Sequence, residues 1–577
     1  MADRITDFDF LTPVNRRIWE SRFRHDLDDL RPTPFRCSTR ILLLTDGDLD
    51  FSPTFGFGMG VFASTLLDML SPAKVELTLA HMRSGRNLLA GDTRIKDRIS
   101  QFKFDDPAHF GPDMFDTVFL FGIDTTFEGR PNTYNGSQLK NSELEALTEF
   151  MNSGGGLFAT GDHAALGRAL GQNLPRAGKM RLWDSSSNSD DLDEVSMLGP
   201  LRNDTNRMGD AGSQFDDQSD DIPQNIHPRI YSRNLALFRY SFPHPLLCGP
   251  NGTIRVMPDH PHEGECVEPV ETEDNIVFIS NHGPEFPPAT DGGRRPLPEV
   301  ISTSTVPGGN IAAFSADQQK DPTLPHSFGG ICAYDGHRAS VGRVVTDATW
   351  HHFVNINLTG DQSYTDGSAK EFGFLASPQG QAHFEEIKTY YRNLALWLTR
   401  PSVVTCMYRG WVFELVRNAH VVEAVATVSA VRLDQTNARM LLSIGHHAKD
   451  VLGKFAGQCQ SRRFQQWILK LLPRAPGFDT IVRDFDPWAP DDPKQSRRER
   501  EYGENLGFGD VTPAFDIALG AALVEANRYI DKVNEKVDHD KLDAVLASGA
   551  EAGLKMSIKA LEASQKELSR AMSALTK

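Results

Sequence analysis

The chain has 577 residues, 39% of them hydrophobic and 24% charged, with a formal net charge of −17. It is too long for one ordinary domain, apolar enough for a large core, and too acidic for nucleic acid or an anionic membrane to be its main partner. No run approaches the roughly 18 apolar residues of a membrane span, and the opening Met1-Ala2-Asp3-Arg4-Ile5-Thr6-Asp7 lacks an apolar leader core, so cytoplasm is the expected compartment.

Residues 1–37 read as a polar lead-in. Thr39–Thr45 is a continuous apolar run of strand length, as expected of a strand buried on both faces. Met59–Leu70 has helical spacing, Lys74–Ala80 alternates like a strand, and Asp116–Gly122 is a further buried strand. Ser142 is the expected cap of a helix ending near Met151, with Glu145 completing a capping box. Gly155–Thr160 is the next strand. Strands and helices alternating at this spacing predict an α/β fold, a doubly wound (flavodoxin-like) and mostly parallel sheet.

From 184 to 221 the pattern dissolves into an insertion with eleven Asp or Glu against Arg202 and Arg207. It reads as a disordered or lid-like loop, and without the glycine of a calcium loop it is no EF-hand. Strands are expected again at Asn275–Ser280 and Gly342–Ala348, and a helix over Gln381–Thr399 closes a domain of residues 38–400. Pro401 marks the expected boundary. Residues 401–577 predict a mainly helical accessory or assembly domain, with helices in 403–428, 438–455, 511–537 and 541–575. The six cysteines, Cys37, Cys248, Cys266, Cys332, Cys406 and Cys459, show no CxxC spacing and read as reduced, mostly buried thiols.

The chemistry is expected where parallel strands end, because their carboxyl ends share one edge. The first strand leads into Asp46-Gly47-Asp48 and a glycine-rich aromatic loop from Phe51 to Gly60. The third leads to Asp124, the fourth to Asp162 and His163, and the last to Trp350-His351-His352. Asp46 and Asp48 are either working carboxylates or turn and cap residues, and Asp162 is a reacting group or a routine cap. Of His351 and His352, one packing under Trp350 while the other faces the site is the expected division. Met257–Glu265 offers a second constellation, with His260, His262 and Glu263 as candidate zinc or manganese ligands or as a solvated loop. Arg338, in Tyr334-Asp335-Gly336-His337-Arg338, either holds an anionic group or pairs with an aspartate. The Gly56–Gly60 stretch is neither GxGxxG nor a phosphate loop, and neither HExxH nor GxSxG occurs, so no nucleotide cofactor is expected.

Taken together, the Ile41–Thr45 and Phe115–Leu120 strands, the helix entering Gly154-Gly155-Gly156-Leu157, and the Gly342-Arg343-Val344-Val345 strand ending in His351 and His352 resemble the class I glutamine amidotransferase-like superfamily. The nearer resemblance is to its trehalose-utilisation (ThuA-like) branch, over residues 38–400. In the amidotransferases proper the turn after the glycine-led strand carries a nucleophilic cysteine. Here no Cys lies between Cys37 and Cys248, so thiolate chemistry is not expected. The ThuA-like branch also lacks it, and resemblance there implies carbohydrate-related, metal-assisted chemistry.

Two functions follow as expectations. One is a hydrolase or lyase without a Cys or Ser nucleophile, acting by general acid–base chemistry on a small polyhydroxylated substrate. Asp162 or His163 would be base or metal ligand, His351 or His352 the partner acid, Asp46 and Asp48 orienting carboxylates, and Asp124, Arg338 and Trp350 substrate contacts. The other is a non-catalytic ligand sensor or scaffold, assembling as a homo-oligomer or with a partner protein through 401–577.

Overall fold

In the computed structural model the chain is described over residues 37–46, 49–69, 73–83, 88–89, 91–122, 139–161, 167–183, 223–235, 238–250, 252–258, 264–290, 293–306, 326–361, 363, 365, 369–418, 421, 424–425, 428, 432–456, 458–472, 486–488, 512–533 and 537–575. The acidic insertion 184–221 and most of the 474–503 stretch lie outside them.

A ten-stranded mixed sheet organises the first part of the chain. Its strands are β1 (Cys37–Thr45), β2 (Ala73–His81), β3 (Ile95–Ile99), β4 (Thr117–Gly122), β5 (Gly156–Gly161), β6 (Gln224–Pro228), β7 (Val256–Met257), β8 (Glu299–Val306), β9 (His326–Tyr334) and β10 (Val344–Asp347). The order is β7-β6-β8-β9-β10-β5-β4-β1-β2-β3. From β10 to β3 every neighbouring pair is parallel, whereas β7 to β10 pair antiparallel. The doubly wound parallel part was legible in the sequence; the antiparallel extension was not. The edge strand β3 makes the parallel order β3-β2-β1-β4-β5-β10, one strand longer on that side than a five-stranded flavodoxin-like sheet.

The apolar runs of β1, β4 and β5 are continuous because both faces are covered. Ile41, Leu43, Phe119, Phe121 and Phe158 enter one core with α1 (Gly60–Leu67) and Phe62, while Leu42, Leu44, Val118, Leu120 and Leu157 enter a second core with α2 (Asn141–Asn152). The first core also takes Tyr390, Tyr391 and Trp397 from α3 (Pro378–Leu398).

The start of α2 differs from the expected cap. The helix begins at Asn141, and the reaching carboxylate is Glu143, whose Oε2 accepts the Lys140 N–H at 3.0 Å. Glu145 instead accepts the Ile279 N–H at 3.0 Å and the Ser280 hydroxyl at 2.9 Å, pinning a distant hairpin. Glycines that carried part of the resemblance have a packing role. Gly154 ends α2 with φ of +95°, a left-handed value that a side chain disfavours, and a Cβ on Gly156 would strike the Leu398 carbonyl.

Beyond Pro401, which opens α4 (Pro401–Leu415) in its first turn, come α5 (Ala438–Ala456), α6 (Gln458–Lys470), α7 (Thr512–Val533) and α8 (His539–Leu575). The cysteine reading needs correction. Cys37 at the start of β1 is bonded to Cys406 on α4, and Cys248, in a short two-stranded hairpin outside the large sheet, is bonded to Cys459 on α6, so both disulfides join the part of the chain before Pro401 to the helical region. Their partners stand 369 and 211 residues apart, which spacing rules built on local CxxC frames do not see. Cys266 and Cys332 remain free and buried. No described helix is long and apolar enough to cross a membrane.

Candidate functional site

The parallel order reverses direction between β1 and β4, and a crevice outside the carboxyl ends at such a switch point is where α/β sheets commonly bind ligands. Asp46 sits there. It follows β1 directly, is fully buried, and its backbone N–H donates to the Phe121 carbonyl of β4 at 3.1 Å. Beside it, Thr45 Oγ1 hydrogen-bonds His81 Nδ1 at the end of β2, and Phe51 stacks on that imidazole at 5.1 Å.

Across β4 and β5, β10 ends in Asp347, whose carboxylate is buried completely. Its Oδ2 accepts the Tyr390 hydroxyl of α3 at 2.9 Å, and its Oδ1 accepts the Thr349 N–H at 3.3 Å. Thr349 Oγ1 accepts the His351 N–H at 3.0 Å and so starts the single turn Trp350–His352. That turn sends the two histidines to different partners. His351 stacks on Trp350 with ring centroids 4.2 Å apart, and Phe57 of the glycine-rich loop meets the same indole edge-on at 5.7 Å. His352 turns inward, its Nδ1 2.8 Å from Asp347 Oδ1 but off the line of a hydrogen bond. Tyr391 donates its hydroxyl to the His352 carbonyl, and the His352 Nε2 is buried without a hydrogen-bond partner among the described residues. Burial, with the Asp347 charge beside it, holds the Tyr390 phenol well above its ordinary range, so Tyr390 stays protonated and donates.

Arg181 binds the edge together from beneath. The residue is 1% exposed, and its guanidinium lies over the Trp183 ring at 4.5 Å and donates to the Gly161 carbonyl at the end of β5 and to the Ala348 carbonyl at 2.8 Å. Gly264 passes so close that a Cβ there would strike both the Ala348 carbonyl and this guanidinium. The Gly264-Glu265 backbone thus runs alongside the ends of β5 and β10, and burial lifts the half-buried Glu265 carboxyl to about 7 against an opposing hydrogen bond from the Gly329 backbone.

Asp46, Trp350, His351 and His352 are therefore on the expected edge, with His351 stacked on Trp350 and both histidines buried. Asp48, Asp124, Asp162, His163, His260, His262 and Glu263 lie outside the described residues. Arg338 is not brought to this edge. It sits in the turn entering β10, at the opposite end of that strand, where its carbonyl accepts the Thr290 N–H at 3.0 Å. In that same turn Asp335 pairs with Arg343 at 2.7 Å, and Arg343 lies over Trp397 at 4.5 Å, a structural latch onto α3. Among the described residues no group of three or more His, Cys, Asp or Glu is arranged to hold a metal ion.

Comparison of the chain with protein-family models, with curated proteins and with solved structures gives no match.

The residues that sequence reasoning missed are Asp347, His81, Tyr390 and Arg181. Asp347 and His81 carry the one signal available beforehand, a polar side chain as the last residue of a strand. Tyr390 and Arg181 carry none, because each matters through partners far off in the chain: 43 residues from Tyr390 to Asp347, and 20 and 167 from Arg181 to Gly161 and Ala348.

Proposed function

We propose that this protein is an enzyme using general acid–base chemistry at the carboxyl edge of β1, β4, β5 and β10, on a small polyhydroxylated substrate. The supporting observation is the Asp347–His352 pair. An Asp347 carboxylate oxygen lies 2.8 Å from Nδ1, leaving Nε2 as the position that would exchange a proton with a bound molecule. Tyr390 holds the carboxylate from behind, and Asp46 stands at the switch point as a second carboxyl on the same edge. No protein nucleophile is required for proton removal beside a carbonyl, for elimination, or for activation of water. The reaction class proposed is therefore hydrolase or lyase, in keeping with the ThuA-like resemblance. Divalent-metal assistance through His260, His262 and Glu263 belongs to the same proposal.

The test is to incubate the protein with sugars, sugar acids and sugar lactones, follow consumption by mass spectrometry, and repeat with His352→Gln and Asp347→Asn. Consumption that falls by roughly 10²–10⁴-fold in both folded variants is the expected result. Undiminished turnover in both would remove the site. Elemental analysis of wild type and a His260→Ala/His262→Ala protein checks the metal separately, expecting zinc or manganese that is lost in the double variant.

A second reading, a ligand sensor or scaffold that assembles through its helical region, draws support from the apolar stripe that α8 leaves exposed.

A further inference from the structure

The loop from Phe51 to Gly60, ahead of α1, has its backbone bonded along its length. Asn355, 2% exposed, donates through Nδ2 to the Ser52 carbonyl at 2.7 Å and the Phe55 carbonyl at 2.9 Å, and its Oδ1 accepts the Val61 N–H at 3.0 Å. The Ile356 N–H donates to the Gly56 carbonyl at 2.7 Å, and the Asn355 N–H to the Gly58 carbonyl at 2.9 Å. A Cβ on Gly58 would strike the Ser52 carbonyl. The conformation is fixed in the free protein, so a ligand that settles on the loop pays little to order it.

This fixed loop turns two phenyl rings outward, Phe55 at 47% exposed and Phe57 at 37%. They begin a series of rings. Phe55 meets Phe57 at 6.1 Å, Phe57 meets Trp350 edge-on at 5.7 Å, and Trp350 stacks on His351 at 4.2 Å. Exposure falls along the series to 1% at Trp350 and 5% at His351, so the rings lead from solvent to the strand ends that carry Asp347 and His352. A polar group stands between the two phenyl-bearing residues. A Cβ on Gly56 would strike Asp361 Oδ2, and Asp361 Oδ1 accepts the Ser363 N–H at 2.9 Å. Each carboxylate oxygen accepts more than one hydrogen bond, so Asp361 keeps acceptor capacity beside Gly56.

Scattered apolar side chains on a surface need no explanation, but two adjoining rings on a rigid loop beside a carboxylate are a specific arrangement. The face of a phenyl ring is electron-rich. A pyranose ring offers the complement, an apolar face of C–H bonds with hydroxyls around its rim. An open-chain polyol has no such face. We propose that Phe55 and Phe57 form the platform on which a sugar ring of the substrate lies, with Asp361 accepting from its hydroxyls. This inference rests on the acid–base reading of the adjacent strand ends and narrows its substrate from polyhydroxylated molecules to cyclic ones.

The test is saturation-transfer NMR on the full chain with methyl gluco-, galacto- and mannopyranosides, and with sorbitol as the open-chain control. At least one pyranoside is expected to bind, with saturation concentrated on the C–H protons of one ring face, and sorbitol is not. Phe55→Ala and Phe57→Ala are each expected to weaken binding by roughly tenfold, and Phe55→Tyr and Phe57→Tyr to retain it, since a phenol keeps the ring face. Among the described residues Phe55 meets no ring other than Phe57, so its alanine variant leaves the packing on Trp350 in place and separates loss of the platform from loss of the fold. A wild type that binds none of the pyranosides, or binding that survives both alanine variants, would overturn the platform. So would saturation of tetramethylammonium in place of the sugars, which would make the rings and Asp361 a cation site. Sugar binding with the expected variants but no consumption of any sugar would overturn the acid–base reading and leave the platform standing. Consumption abolished by His352→Gln, with KM unchanged in both alanine variants, would overturn the platform alone.

Discussion

The Tyr390 hydroxyl donates to Asp347 Oδ2 at 2.9 Å, joining the long helix α3 to the last residue of β10 inside the core. A buried carboxylate is costly unless its oxygens are occupied, and this bond occupies one of them. Through it the helix that covers one sheet face also fixes the charge beside His352.

Tyr390→Phe keeps the ring and removes only the donor. Asp347 Oδ2 then loses that bond while fully buried, and the fold is expected to lose about 1–3 kcal/mol, measurable by urea denaturation. If the acid–base proposal holds, the turnover of this variant also falls, because the carboxylate beside His352 has lost the donor that positions it. An unchanged stability would mean that Tyr390 is a packing residue only.

Arg181→Gln is expected to be more damaging. The guanidinium serves the Gly161 and Ala348 carbonyls together, and a shorter amide does not reach both. At least one buried carbonyl is left without its donor and the stacking on Trp183 is lost, for a cost on the order of 2–4 kcal/mol. Thermal unfolding checks this, and a melting point equal to wild type would show that the strand ends are held by something else.

How much of this was readable beforehand follows from where each residue gets its partners. The runs in β1, β4 and β5 announce themselves because strands buried on both faces must be apolar throughout. β8, with sequence Glu-Val-Ile-Ser-Thr-Ser-Thr-Val, and β9, with paired glycines at Gly329 and Gly330, hide because neither alternates cleanly. Trp350, His351 and His352 were visible as unusual residues after a strand. The different surroundings of the two imidazoles were not, since they depend on a single turn that starts from the Thr349 side chain.

The disulfides give a direct chemical prediction. Thiol titration of denatured, unreduced protein is expected to find two free cysteines, Cys266 and Cys332, and six after reduction by a dithiol. Bonds of this kind persist in oxidising compartments, so protein recovered from a reducing cytosol would show the larger number from the start. Six thiols in protein prepared under oxidising conditions would contradict the Cys37–Cys406 and Cys248–Cys459 pairing.

His244 provides a pH prediction. Its ring is buried edge-on to Trp397 at 5.0 Å, and its Nδ1 accepts the Leu246 N–H at 3.3 Å. Burial is the largest influence, and it lowers the imidazole from 6.5 to about 3, with Asp335 opposing and Arg343 and Arg463 assisting. In the unfolded chain the same ring takes a proton near 6.5, so between that value and about 3 the unfolded state binds more protons than the folded one. The contribution of neutral His244 is fully present above pH 6.5 and is lost as the pH falls towards 3, with a limiting slope of about 1.4 kcal/mol per pH unit. His244→Asn keeps an acceptor for the Leu246 N–H but does not titrate, so its stability is expected to fall less steeply than that of wild type below pH 6.5. Urea midpoints taken at pH 7.5, 6, 5 and 4 compare the two proteins. Parallel curves would mean that the buried imidazole gains a proton without opening the fold, and that the packing around Trp397 yields more readily than its burial implies.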